Sequence, residues 1–176
     1  MAAVQEILGT YSPEDLIITI SNQFFSHSIT GYADGTFVNI TRQIPPSTLY
    51  SGSDNTNARV VRANKGSTIK VTLHQASESN DILSQALIMD ESTRDGTWCF
   101  NILVKDGTGR SLYFSPQAFV ANNPEATFGA EITTREWDIQ CVSLSNFVGG
   151  NGKLTDDAYR TLQSMGVTVD PRWAPA

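Results

Sequence analysis

Apolar and polar residues alternate along several segments of this sequence, and that period of two constrains the fold more than any other feature. The clearest segment runs from Ser67 to Gln75, where Ile69, Val71 and Leu73 occupy alternate positions. Because successive side chains of a β-strand point to opposite faces, the pattern is typical of a half-buried strand. The same period recurs in residues 15–21, 98–104 and 136–141. The sequence therefore predicts a mainly β fold.

Turn residues divide these strands into predicted hairpins. Asp34-Gly35 separates "SHSITGY" from "TFVNITR", and Asn64-Lys65-Gly66 separates residues 58–63 from residues 67–75. The turn "DGTG" likewise separates "TWCFNILVKD" from "RSLYFS". Glycine adopts positive φ angles without steric cost, and such angles are needed in tight hairpin turns. We therefore expect each pair of flanking segments to form an antiparallel hairpin.

Two segments change to the 3.6-residue period of a helix. In "SESNDILSQALIMDES", Ile82, Leu83, Ala86 and Leu87 fall on one stripe, with Ser79 or Asn80 as the expected N-cap. In "LTDDAYRTLQSMG", Thr155 is the expected cap and Gly166 the terminator of a short helix. The predicted fold is mainly β, with one helix that packs against the sheet and a short C-terminal helix. We expect a β domain over residues 1–151, the glycine-rich "FVGGNGK" as a hinge, and a C-terminal extension over residues 152–176.

Composition and charge limit the classes of function. The chain has 176 residues, which suits one domain, and a net charge of -6, which argues against a nucleic-acid-binding surface. It contains no apolar run of membrane-spanning length, and its first residues lack the features of a signal peptide, so we expect a cytosolic protein without membrane contact. In that compartment Cys99 and Cys141 are interpreted as small buried side chains, although a disulfide stays open.

Residues with catalytic chemistry are sparse and dispersed. His27 and His74 lie in strand patterns without the spacing of a metal site. "GTGRS" and "GGNGK" lack the spacing of a phosphate-binding loop, and Asp156-Asp157 at a helix start favours interaction with the helix dipole. The aromatic residues Trp98, Phe100 and Trp137 lie on the apolar phase of their strands, which indicates core packing. We predict no enzymatic activity, no cofactor and no metal.

The stretch from Gln43 to Asn57 is a polar interruption between two strands. It has too little apolar surface to fold by itself and too much for a plain linker. We expect it to be a hairpin loop that is disordered in the free subunit and becomes ordered against a partner; an ordinary mobile loop is the alternative. The predicted subunit-interface residues are Ile44, Pro45, Pro46, Leu49, Tyr50 and Asp54.

Five segments together resemble a known family. "YSPEDLIITISN", "ITGYADGTFVNITR", "ASESNDILSQAL", "FGAEITTREWDIQC" and "FVGGN" resemble the tail tube proteins of contractile-tailed bacteriophages, which are similar to the inner-tube proteins of type VI secretion. The resemblance runs from about Tyr11 to Asn151 and does not cover residues 152–176.

The resemblance implies a structural role in the virion. It implies a subunit that is a β-sandwich or split barrel with one flanking α-helix. It also implies hexameric rings that stack into a hollow tube, assembled in the host cytoplasm around a tape measure protein and inside a contractile sheath. The further implied partners are baseplate and tail terminator proteins, and DNA would pass through the bore without specific binding. An acidic or neutral lining would favour such passage by repulsion. The N-terminal "MAAVQEILG" and the C-terminal segment are secondary candidates for contacts between rings or with the sheath.

Two alternatives stay open at this stage. The chain can be another ring-forming tail or baseplate component of the same fold. From a different class, it can be a monomeric β-sandwich that binds a ligand in a closed pocket.

Overall fold

The computed structural model describes residues 8–175, which form two compact units. The larger unit comprises residues 17–104 and 113–146. The smaller unit comprises described residues 8–16, 105–112 and 147–175. The predicted division of the chain between residues 151 and 152 stays a prediction.

The fold is mainly β with two helices, as the sequence predicts. The helices are α1 (Ser79–Thr93) and α2 (Asp156–Ser164). The strands are β1 (Leu16–Ser21), β2 (Ser26–Ser28), β3 (Val38–Arg42), β4 (Ser47–Ser51), β5 (Asn57–Val61), β6 (Ser67–His74), β7 (Phe100–Asp106), β8 (Leu112–Asn122), β9 (Thr134–Cys141) and β10 (Ser145–Phe147).

An eight-stranded sheet has the order β2-β1-β7-β8-β9-β6-β3, with β10 beside β8, and most of its residues lie in the larger unit. The ladder between β6 and β9 is antiparallel and pairs Ile69 with Ile139 and Val71 with Trp137. All four side chains are buried. The period of two in both strands therefore produces one apolar face, as predicted, because residues in register lie on the same side of a sheet.

Helix α1 covers apolar surface with three residues of the predicted stripe, Leu83, Ala86 and Leu87, which are buried. The fourth, Ile82, is 36% exposed. The expected cap is wrong, because neither Ser79 nor Asn80 occupies the N-cap position. The Ser77 hydroxyl accepts a hydrogen bond from the Ser79 backbone N–H (3.2 Å) and satisfies one of the free amides at the helix start.

Two of the three predicted hairpins are wrong in their pairing. Tyr32 bridges Leu73, and Val38 pairs with Val71, so the segments on both sides of Asp34-Gly35 run along the same edge of β6. Gly35 does adopt a positive φ (88°). The segment around it connects two stretches that both pair with β6, so it does not join two strands of one hairpin. β5 pairs with β4 instead of β6. The third hairpin is confirmed, since β7 and β8 are neighbours in the sheet.

The smaller unit is organised around the turn after β7. Asp106 accepts hydrogen bonds from the Thr108 backbone N–H and hydroxyl at 2.9 and 2.8 Å and from the Asn151 side-chain amide at 2.8 Å. The Gly149 N–H donates to the Ser111 hydroxyl (3.0 Å). The glycine-rich segment expected to be a hinge is thus hydrogen-bonded to this turn. Thr155 caps α2 as predicted, with its side chain accepting from the Ala158 N–H.

Both cysteines are free thiols, as the sequence interpretation favours. Burial raises the pKa of the Cys141 thiol to about 11 and also raises that of the half-buried Cys99. Neither is a reactive thiolate at neutral pH, because the thiolate is the nucleophilic form. Within residues 8–175, no helix has the length and hydropathy to cross a membrane. The same residues contain no cluster of three or more His, Cys, Asp or Glu suited to a metal ion.

Candidate assembly interface

Strands β4 and β5 form a two-stranded sheet of their own, which we call the β4–β5 hairpin (residues 47–61). Five antiparallel pairs join the strands, from Ser47 opposite Val61 to Ser51 opposite Asn57. The Arg62 N–H extends the ladder by donating to the Pro46 carbonyl (2.8 Å). Every residue of both strands is exposed. Since a two-stranded ribbon is at best marginally stable in water, this element would gain stability from a surface that covers it.

The turn of the hairpin is held by Asp54. Its Oδ1 accepts from the Thr56 hydroxyl (2.7 Å) and the Thr56 backbone N–H (3.2 Å). Asn55 takes the left-handed φ of 65° that the turn requires, a conformation that asparagine tolerates better than most residues. The sequence "GSDNT" therefore specifies a defined turn, and the carboxylate of Asp54 lies at its exposed end.

Apolar side chains lie on both faces of the β4–β5 hairpin. Residues opposite each other share a face, so Leu49 lies with Val61 on one side, and Tyr50 lies with Val60 on the other. Their exposed fractions are 74% and 65% on the first face, and 63% and 42% on the second. A surface strand of a monomer usually keeps apolar residues on one face only. A ribbon with two exposed apolar faces is suited to insertion between neighbouring chains.

The β4–β5 hairpin contains three of the six predicted interface residues, and their role in an interface stays a prediction. Leu49, Tyr50 and Asp54 are exposed on the hairpin, Pro45 and Pro46 are exposed just before it, and Ile44 is half-buried. Sequence analysis missed Val60 and Val61, because it assigned residues 58–63 to the main sheet. The available signal was that these residues place apolar side chains on both faces. Of the secondary candidate segment "MAAVQEILG", residues 1–7 lie outside the described residues.

Strand β3 forms an edge of the eight-stranded sheet and has no strand partner on its outer side within the described residues. It contains no proline or lysine, the residues that most often protect such edges. The neighbouring polar face carries Lys70, whose Nζ lies 3.3 Å from Glu136 and 3.8 Å from Asp138. The hydrogen bond to Glu136 is the main cause of a raised Lys70 pKa. This face is suited to contact with water, and the edge to pairing with another strand.

The Asp54 turn predicts a local pH response. The hydrogen bonds from Thr56 lower the pKa of Asp54 below its ordinary 3.8. The stabilisation is therefore fully present above that ordinary value and is lost as the pH falls through the lower folded-state pKa. An NMR titration from about pH 5 to about pH 2 should give a carboxyl midpoint below 3.8 for Asp54. Thr56→Ala should move this midpoint upward; an unchanged midpoint would contradict the assignment.

Known proteins resemble this chain in sequence and in fold. No protein-family model matches the sequence. The chain is 37% identical over 167 residues to "Structural protein ORF10" of Pseudomonas phage KPP10, covering 94% of this chain and 96% of that protein. At that coverage the match must include residues of the segment 152–176. The fold is similar to a cryo-EM structure of the anti-feeding prophage cap, a tube terminating cap, with a TM-score of 0.51 and 10% identity over 84% of this chain and 99% of the cap chain.

Proposed function

Because the chain belongs to the family of the phage structural protein ORF10, we propose that it is a virion protein of the phage tail. It assembles with copies of itself into hexameric rings, and the rings stack into the inner tail tube through which DNA leaves the particle. The name of that relative, "Structural protein ORF10", states a structural role for the relative. The ring, the tube and the passage of DNA are our proposal.

The β4–β5 hairpin is the observation that carries this proposal. Leu49, Tyr50, Val60 and Val61 are exposed on two faces of one ribbon. Burying one such side chain contributes about 1.5–3 kcal/mol, so four of them form a substantial source of association energy. Covering both faces at once requires two surfaces. Neighbouring copies in a ring or in adjacent rings supply them.

The open edge at β3 supports ring closure by strand pairing. Its free amide and carbonyl groups form backbone hydrogen bonds with a strand of an adjacent copy, and this pairing continues the sheet around the ring. A barrel assembled from several strands per copy is too wide for side chains to fill, so it encloses water. The polar face with Lys70, Glu136 and Asp138 is suited to line such a bore. Exposed acidic groups there disfavour adhesion of DNA.

The proposed role needs no catalytic chemistry. We propose that the chain is not an enzyme and acts by passive assembly in the host cytoplasm. Its proposed partners are the tape measure protein within the bore, the sheath around the tube, and baseplate and terminator proteins at the ends. Burial raises the pKa values of the two free thiols, which disfavours the nucleophilic thiolate form.

Negative-stain electron microscopy and sedimentation velocity of the purified full-length chain test the proposal. We expect rings or tubes whose amount rises with protein concentration, because the hairpin and the β3 edge are satisfied only by other copies. A chain that stays monomeric at high concentration would overturn self-assembly and would favour the ligand-binding sandwich.

A single terminal ring is the second candidate. It is favoured by the similarity of the fold to a tube terminating cap, whose chain is covered almost completely. The same micrographs separate the two candidates. Long tubes favour the tube protein, and isolated rings that do not stack favour a cap or another ring-forming tail component.

A further inference from the structure

Arg135 is a buried charge without a counter-charge. It lies in β9 opposite Leu73, in the same row of buried side chains as Trp137 and Ile139, and only 7% of it is exposed. No carboxylate within the described residues forms an ion pair with it. Its guanidinium donates instead to uncharged oxygens, namely the Thr133 hydroxyl (2.7 Å) and the carbonyls of Thr134 (3.0 Å) and Thr127 (3.2 Å). Burying an unneutralised charge is costly, and a paired anion would offset that cost.

A cavity of about 550 Å³ in the larger unit lies beside this guanidinium. Besides Arg135, it is lined by Gln75 and Asn123 and by Asn80 and Trp137, whose side chains are already hydrogen-bonded to each other (2.9 Å). The Gln75 side-chain oxygen accepts from Thr133 (3.0 Å), and its nitrogen donates no hydrogen bond within the described residues. The cavity thus combines one buried positive charge with polar groups, which is the chemistry that receives a carboxylate.

The loop of residues 123–133 borders the cavity and carries exposed apolar side chains together with two exposed acidic residues, Glu125 and Glu131. Phe128 lies on this loop, 79% exposed, with the Arg135 guanidinium 5.1 Å from its ring centroid. Ile132 on the same loop is 66% exposed. Arg135 therefore contacts one aromatic side chain, Phe128, at the edge of the cavity. A partner that presents a carboxylate would match the Arg135 charge, and apolar side chains elsewhere on the same partner would match the exposed Phe128 and Ile132.

The β4–β5 hairpin presents a carboxylate in a polar turn, with apolar side chains further along the same ribbon. The Asp54 carboxylate is exposed at the turn, its Oδ2 accepts no hydrogen bond within the described residues, and the apolar Leu49 and Tyr50 precede it on the same ribbon. We propose that the Arg135 cavity of one copy receives the Asp54 carboxylate of the hairpin of a second copy, forming an ion pair between copies. This inference rests on the proposed self-assembly and names the contact that orients the hairpin.

Asp54→Asn tests the contact against a closely matched control. Asparagine keeps the oxygen that accepts from Thr56, so the turn survives while the charge is lost. Asp95→Asn removes the same charge from a second exposed turn, where Asp95 accepts from the Thr97 N–H (2.9 Å). Sedimentation should show that Asp54→Asn raises the concentration needed for assembly about tenfold or more, because loss of one partner of a desolvated pair weakens binding strongly. Asp95→Asn should leave it unchanged.

Disulfide trapping tests the same contact directly. Ser53→Cys, which keeps the Asp54 carboxylate, and Asn123→Cys are prepared as separate proteins and mixed under mild oxidation, since Asn123 lines the cavity. A covalent dimer should form in the mixture, and neither variant alone should form it. A mixture of Asp95→Cys with Asn123→Cys should give no dimer.

The outcomes separate this inference from the proposed function. Wild-type protein that forms no assembly overturns self-assembly and the ion pair together. Wild-type protein that assembles, with an Asp54→Asn variant that assembles equally well and no trapped dimer, overturns the ion pair alone. In that case Arg135 serves only to hold its own loop.

Discussion

Replacing Leu49, Tyr50, Val60 and Val61 together by threonine is expected to abolish assembly while the chain remains folded. Threonine keeps the preference for strands, so the β4–β5 hairpin is retained. Each replaced side chain would otherwise contribute about 1.5–3 kcal/mol on burial against a neighbour. Association costs at least about 4 kcal/mol in lost freedom, so removing this contribution leaves too little to hold a ring. Electron microscopy and sedimentation velocity measure the loss.

Exposed apolar residues outside the hairpin provide the control. Ile88 on α1 and Val142 after β9 are 55% and 56% exposed, and Ile88→Thr with Val142→Thr should leave assembly intact. Thermal unfolding of the hairpin variant should match wild type, because the replaced residues are exposed in the single chain. Normal rings or tubes from the four-residue variant would contradict a role for the hairpin. A large loss of stability would show that the ribbon packs within its own chain.

Trp137→Ala is expected to produce the largest loss of stability of any single substitution considered. Trp137 is 2% exposed, packs in the main sheet, and donates its indole N–H to the Asn80 side-chain oxygen (2.9 Å) at the start of α1. The substitution removes a large buried side chain and leaves that oxygen without its donor. We expect the free energy of unfolding to fall by about 3–5 kcal/mol. Urea denaturation followed by circular dichroism measures the change.

A second tryptophan, Trp98, provides the comparison for the loss of stability expected from Trp137→Ala. Trp98 is half-buried and stacks on Phe24, with ring centroids 4.6 Å apart. Trp98→Ala should cost less than half as much as Trp137→Ala, because an exposed stack loses less apolar burial. An equal or larger cost for Trp98→Ala would show that the core is centred elsewhere. Trp137→Phe keeps most of the packing and should fall between the two.

Local periodicity identified the elements that form the core. β6, β9 and α1 follow their patterns because a strand or helix with one apolar stripe has only one face to bury. The turn after β7 closed the predicted hairpin with β8. Thr155 capped α2, since its side chain reaches a free amide of the first turn. These features depend on contacts between residues close in sequence.

Strand pairing could not be obtained in the same way. β5 precedes a good turn signal, Asn64-Lys65-Gly66, but carries no single apolar face, so it cannot join the main sheet without burying Arg59 or exposing a valine. It pairs with β4 instead, and this pairing places Val60 and Val61 in the candidate interface. Asp34-Gly35 also looked like a reversal. Both flanking segments pair with the same edge of β6. The residues of the turn do not determine which strand the flanking segments pair with.

Arg135 shows most clearly the difference between what the local sequence determines and what only the tertiary structure determines. The alternation in β9 by itself fixed which residues face the core, and Arg135 falls in that row as surely as Trp137 and Ile139. Only the tertiary structure determines that Arg135 forms no ion pair with a carboxylate of the described residues and that it lies beside a cavity. Side-chain direction follows from the backbone period of one strand, whereas neutralising a charge depends on groups far away in sequence, or on another copy of the chain.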